Sequence, residues 1–174
     1  MNGPIVDREA LVALAVDAAR RGETETLTHA VAAGVDVNAT SPRGDSLLML
    51  AAYHGHAETA RALIERGADV NQPDGRGQSP LSGVAFKGLI DIAARLADAG
   101  AAIDAASPDG RTPLMMAAAF NREQMVAWLL ARGASPEARD AAGLRAVDIA
   151  RAMGADVSLC VLLEICMGAD QPAV

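Results

Sequence analysis

The stretch "SPDGRTPLMMAAAFNREQMVAWLLARGASPEAR", residues 107–139, decides the architecture, because the chain carries it in three versions. Residues 74–106 read "DGRGQSPLSGVAFKGLIDIAARLADAGAAIDAA", and residues 41–72 read "SPRGDSLLMLAAYHGHAETARALIERGADVNQ". Gly34, Gly67, Gly100 and Gly133 recur at intervals of 33, and so do Gly44, Gly77, Gly110 and Gly143. A third series, Gly22, Gly55, Gly88 and Gly154, has Asn121 in its remaining slot. Asn is the non-glycine residue that best tolerates positive φ, so the exception supports the series. A fixed period of this length marks a repeat architecture.

Each unit explains itself physically. Ser46, Ser79 and Thr112 are predicted N-caps, whose side chains accept from otherwise orphaned backbone N–H groups. Pro80 and Pro113 follow at the first helical position, where a missing N–H is not needed. A short helix then runs to the Gly or Asn turn, and a second helix carries the series Leu63, Leu96, Leu129 and Leu162. Its end is the glycine C-cap of "RGAD" or "RGAS". No unit buries its apolar face alone, so neighbours must stack into a solenoid held by nearest-neighbour interfaces.

These residues resemble the ankyrin repeat family over about residues 7 to 167. The matching motifs are "GADVN" at 67–71, "TPLMMAA" at 112–118 and "GHAETARALIERGAD" at 55–69. The resemblance implies an all-α solenoid of turn–helix–loop–helix units, with β-turn fingers beside a concave face of inner helices. It also implies a role in binding another protein across that surface. The expected units are about 7–40, 41–73, 74–106, 107–139 and 140–168, in one domain with a tail at 169–174. The first and last are expected to act as caps. The sequence departs from the family where a "TPLH" histidine ties neighbouring fingers: Met49, Ser82, Met115 and Asp148 stand there instead, which implies looser fingers. The last unit closes at Gly168, two residues later than the period predicts, so its outer helix is expected to be extended.

Composition narrows the function. Hydrophobic residues make up 51% of the 174 residues but aromatics only 2%, a balance suited to close helix–helix packing. The net charge of −7, with a pI near 4.9, opposes a nucleic-acid binder, which needs a basic stripe over phosphates. No stretch approaches the roughly 20 apolar residues of a membrane span, and the start lacks a basic leader region. Cys160 and Cys166 lie six apart on one predicted helix and point to different faces, so a bridge is not expected. Reduced thiols fit a cytoplasmic protein. Lys87 is the sole lysine, an arginine bias that points weakly to a GC-rich bacterial genome.

Under this architecture the finger tips carry Arg43 and Asp45, then Arg76 and Gln78, then Asp109 and Arg111. The inner-helix ends carry Arg20 and Arg21, Tyr53 and His54, Phe86 and Lys87, and Phe120. Tyr53, Phe86 and Phe120 read as one slot in consecutive repeats, and aromatics with arginines dominate binding hot spots. These residues, Arg20 and Arg21 apart, are the expected partner-binding surface, for a protein segment of acidic or mixed charge. The alternative is that the rings only pack over neighbouring repeats. Gly83 stands where Leu50, Met116 and Ile149 stand elsewhere. Met116 is expected to fill that space; the alternative is a shallow pocket flanked by Met49 and Met115.

On the outer helices, Glu58, Arg61 and Glu65 give way to Asp91, Ala94 and Asp98, then Gln124, Ala127 and Ala131, then Val157, Cys160 and Glu164. Polarity falls toward the end of the chain. Trp128, Val157 and Cys160 are therefore the candidates for self-association, unless the tail "GADQPAV" covers them. A monomer is expected, with a homodimer as the alternative.

Chemistry finds little support. In "HGHAE", His54 and His56 flank the turn at Gly55 and lack the i, i+4 register of a helical zinc site. The cysteines sit among Val, Leu and Ile, where a thiol pKa rises. The phosphate-loop spacing is absent from "GVAFKG". No cofactor and no metal are expected. The sequence reads as a non-enzymatic protein-binding module, with a self-associating scaffold as the second reading and an enzyme or metal protein as the third.

Overall fold

The computed structural model describes residues 8–168. Expectations for the tail at 169–174 and for residue 7 lie outside the described residues. Within them the chain is all-α, with ten helices in pairs. The first pair is α1 (Arg8–Arg21) and α2 (Thr24–Ala32). Three near-identical pairs follow: α3 (Leu47–Tyr53) with α4 (Ala57–Glu65), α5 (Pro80–Lys87) with α6 (Ile90–Asp98), and α7 (Pro113–Ala119) with α8 (Glu123–Ala131). The last pair is α9 (Ala146–Ala152) and α10 (Val157–Gly168). Odd-numbered helices stack on one another as an inner row, even-numbered ones as an outer row.

The predicted start signals are in place. Ser46, Ser79 and Thr112 accept from the N–H groups of Met49, Ser82 and Met115 at 3.0, 3.2 and 3.4 Å. The last unit lacks a hydroxyl there, and Asp148 reaches back instead to accept from the Arg145 N–H at 3.0 Å. Arg145 also donates from its side chain, which holds the Asp148 carboxyl below its usual range. Every glycine of the three series has positive φ, and Asn121 joins them at φ 53. Asn121 is further anchored to Asp156, donating to its carboxylate at 2.6 Å and accepting from its N–H at 3.2 Å.

The core is a seam of Leu, Ala and Val between the two rows. Leu27, Leu47, Leu63, Leu81, Leu96, Leu114 and Leu129 are all at most 1% exposed. Small alanines such as Ala52, Ala85 and Ala118 let the inner helices approach closely.

The units are joined by a device other than the absent histidine. Asn38, Asn71 and Asp104 accept from the backbone N–H of Asp69, Ala102 and Ser135 in the next unit, at 2.8, 2.8 and 3.1 Å. Each tie spans 31 residues. Inside three of the four fingers Ser41, Asp74 and Asp140 accept from backbone N–H groups two and four residues ahead, and in the other the Ser107 hydroxyl donates to the Arg111 carbonyl at 3.1 Å.

The last unit departs from the period. Its outer helix starts at Val157, one residue later than the spacing of α4, α6 and α8 dictates, and it runs for 12 residues rather than 9. Where α4 buries Thr59, Ala60 and Leu63, α10 buries Leu159, Cys160 and Leu163. Leu162, expected to continue the leucine series, is only half-buried, and Leu163 takes its place. Cys160, expected on the exposed side, is 8% exposed, because the one-residue slip turns the helix by about 100°. The exposed stripe becomes Val157, Val161 and Ile165, at 78%, 44% and 65% exposure.

Candidate functional site

The ends of the inner helices bring the aromatic side chains together. The Tyr53 and Phe86 rings stack, with centroids 6.0 Å apart and planes 11° from parallel. Phe86 and Phe120 meet edge to face, at 4.2 Å and 73°. The change of geometry has a cause in the numbering. Tyr53 and Phe86 are 33 apart, but Phe120 lies one position further on, in the slot of His54 and Lys87. Its Cα therefore departs from a helix end by a different angle: Phe120 is the C-cap of α7, whereas Phe86 lies inside α5. The expectation of a single slot is corrected to a ladder with one offset rung. Aromatic pairs at these separations contribute about 0.5–1.5 kcal/mol beyond their area.

Lys87 lies across the first rung, its Nζ 4.7 Å from the Tyr53 centroid and 5.6 Å from that of Phe86. His54 packs edge-on to Tyr53 at 5.6 Å. Burial first, then the positive neighbours His56, Arg20 and Lys87, hold the His54 imidazole below its ordinary pKa. Tyr53 and Phe86 are half-buried, and Phe120 is 40% exposed.

The carbonyl ends of these helices are satisfied from the next unit. His56 Nε2–H donates to the Arg20 carbonyl at 2.9 Å, and Arg122 Nε donates to that of Phe86 at 3.0 Å. The His56 ring nitrogen is thereby committed, although the rings of His54 and His56 lie 6.3 Å apart. Among the described residues, no group of three or more His, Cys, Asp or Glu side chains is arranged to hold a metal ion.

Beside Tyr53 a groove of about 430 Å³ opens between the fingers of the second and third units. Its floor is Met49, Leu50 and Gly83, and its border carries Arg20, Arg43, Asp45, Asp74, Arg76 and Gln78. Gly83 deepens it by lacking a side chain. A Cβ there would sit 3.2 Å from Met49 Sδ and 3.4 Å from Tyr53 Cδ2. The space over Gly83 is thus bounded by Met49 and Tyr53 of the preceding unit, not by the expected Met116. Met115, expected to flank the pocket, is 1% exposed and lies in the core.

Of the sequence-predicted residues, Arg43, Asp45, Tyr53, His54, Arg76 and Gln78 border this one groove, and Phe86, Lys87 and Phe120 extend it along the ladder. Asp109 and Arg111 stand apart on the next finger, paired at 3.3 Å. The Ser107 hydroxyl, donating to Asp109, holds that carboxyl below its usual range. Trp128 is half-buried under the Arg132 guanidinium, 4.8 Å from its ring centroid. Arg20 and Asp74 were missed as border residues. Arg20 was legible in principle, since it lies 33 residues before Tyr53 in the same slot.

Among the described residues, no helix is long and apolar enough to cross a membrane. A family model described as ankyrin repeats (3 copies) matches residues 15–107 and, overlapping these, 71–140. The match ends before the unit whose outer helix slips. None of the curated proteins compared matches the chain.

Proposed function

The chain belongs to the ankyrin repeat family, whose repeats are generally protein–protein interaction modules and typically non-catalytic, and on that premise we propose a non-enzymatic module that binds a partner protein through its inner-helix ends and finger tips. The observation that carries the reading is the ladder Tyr53–Phe86–Phe120, three of the chain's four aromatic rings in continuous, partly exposed contact. Partly exposed rings beside arginines are the make-up of interface hot spots. A standard interface covers about 800 Å² per partner, a size that three repeats can supply.

The test is co-purification from the native cell with Phe86→Ala and Phe120→Ala. Each ring's loss is expected to weaken partner binding by about 2 kcal/mol, roughly 30-fold. Equal yields of the same partners from both variants and the parent would remove the assignment.

A second reading, self-association through the outer face of the last unit, is favoured by the exposed stripe Val157, Val161 and Ile165. Its i, i+4, i+8 spacing lets two copies pair antiparallel about a two-fold axis. Light scattering over a dilution series is expected to show a mass that doubles with concentration, and Ile165→Glu is expected to hold it at the monomer. A monomer mass at every concentration of the parent removes this reading.

A further inference from the structure

We propose that the groove between the fingers of the second and third units seats an acidic, extended segment of the partner protein, with a carboxylate among Arg20, Arg43 and Arg76 and an apolar side chain against Tyr53 over Gly83. This rests on the protein-binding reading above and assigns it a chemistry.

The charges on the groove's border are unequal in availability. Asp74 is turned into its own finger: its Oδ1 accepts from the N–H groups of Arg76 and Gln78 at 2.9 Å, and its side chain is only 4% exposed. Asp45 accepts from the Ser41 hydroxyl at 3.1 Å. Both carboxylates thus serve the finger turns. The guanidinium groups are less committed. Among the described residues, the Arg43 side chain enters no ion pair or hydrogen bond, and only its backbone N–H is engaged. Arg76 meets Asp74 at 3.5 Å with its own side chain 79% exposed. Arg20 meets Asp17 at 3.6 Å, both about half-exposed, a geometry that contributes little.

The groove therefore presents positive charge on a chain whose net charge is −7. His54, at its edge, is held below its ordinary pKa first by burial, then by His56, and then by Arg20 of the groove and Lys87 beside it. An arginine fork matches a carboxylate in two parallel hydrogen bonds, and charge-assisted bonds of this kind are about twice as strong as neutral ones. The floor adds the second requirement. Met49, Leu50 and the Tyr53 ring make an apolar surface directly beside the guanidinium groups, and methionine adapts to irregular shapes. The chemistry that fits both is an acidic stretch interrupted by an aliphatic residue.

The probe is an acetylated and amidated Glu-Glu-Leu-Glu-Glu-Leu peptide, titrated into the full chain at low salt while the imidazole signals are followed by NMR. The chain has 3 histidines, so His54 is assigned by a single His54→Gln variant. The groups facing His54 are Arg20 from α1, His56 from the turn before α4 and Lys87 from α5, all cationic when charged. A bound carboxylate favours the imidazolium, so the His54 midpoint is expected to rise on saturation, and binding to tighten as the pH falls toward that midpoint. Arg43→Glu is expected to weaken binding by about tenfold or more. Arg111→Glu, the same charge change on the neighbouring finger, is expected to cost less than about threefold.

Absence of saturable binding up to millimolar peptide overturns the proposal. So do equal losses from Arg43→Glu and Arg111→Glu, or a His54 midpoint that does not move at saturation. None of these touches the ladder reading, which fails only if Phe86→Ala and Phe120→Ala leave native partners bound.

Discussion

Leu81→Ala is expected to lower the free energy of unfolding by about 3 kcal/mol, seen as a lower urea midpoint at unchanged slope. Leu81 is fully buried on α5, which stacks between α3 and α7. Truncation removes its transfer free energy and leaves a cavity, because a packed core relaxes only partially around the loss. Position adds to the effect. In a quasi-one-dimensional stack stability is a sum of units and interfaces, and a central inner helix contributes to two interfaces at once. Leu14→Ala is the contrast: Leu14 is 47% exposed, and its loss is expected to stay within about 0.5 kcal/mol. Equal midpoint shifts for the two variants would show that the inner row is not the core.

Gly75→Ala is expected to cost about 3 kcal/mol, the upper end for overpacking. A Cβ at Gly75 would lie 2.1 Å from the Arg43 carbonyl oxygen and 3.2 Å from its carbonyl carbon. The reciprocal approach is less extreme but still too close, with a Gly44 Cβ falling 2.8 Å from the Cα of Gly75. Backbone faces backbone on both sides, so no side chain can swing away and the two fingers must separate. Gly75 has no positive φ, so Gly143→Ala serves as the contrast. It has positive φ but nothing within 4 Å, so only the left-handed backbone penalty of about 1 kcal/mol applies. Gly75→Ala should also weaken the acidic-peptide binding, since the separated fingers carry Arg43 and Arg76. A Gly75→Ala cost no greater than that of Gly143→Ala would sink the close-approach argument.

What the sequence made legible was whatever depends on a residue and its near neighbours. The caps at Ser46, Ser79 and Thr112, the proline starts and the positive φ of Asn121 all follow from local backbone chemistry repeated at a fixed period. So did most of the groove's border, because a repeated position has a repeated exposure. What escaped depends on how units meet. The ties from Asn38, Asn71 and Asp104 require knowing which N–H lies opposite, a fact of stacking rather than of propensity. That the space over Gly83 is bounded by Met49 and Tyr53, not Met116, turns on which neighbour leans in. The slip of α10 is the clearest case. Leu162 and Leu163 are equally apolar, as are Cys160 and Val161, so the pattern alone cannot fix the helix's rotation. The later start at Val157 decides it.

The side-chain ties between units also govern how the gene can change length. Because each tie joins positions 31 apart in a lattice of period 33, an in-frame copy or loss of one interior block leaves every acceptor opposite a backbone N–H at the same offset. The lattice ends beyond Ser135: Glu137, the next position in the series of acceptors, pairs instead with the Arg145 side chain of the last unit at 3.8 Å. Recombination inside the array can thus lengthen or shorten the surface offered to a partner with the fold intact. Blocks appended after α10 would meet a helix turned out of phase. The array is open to growth in its middle.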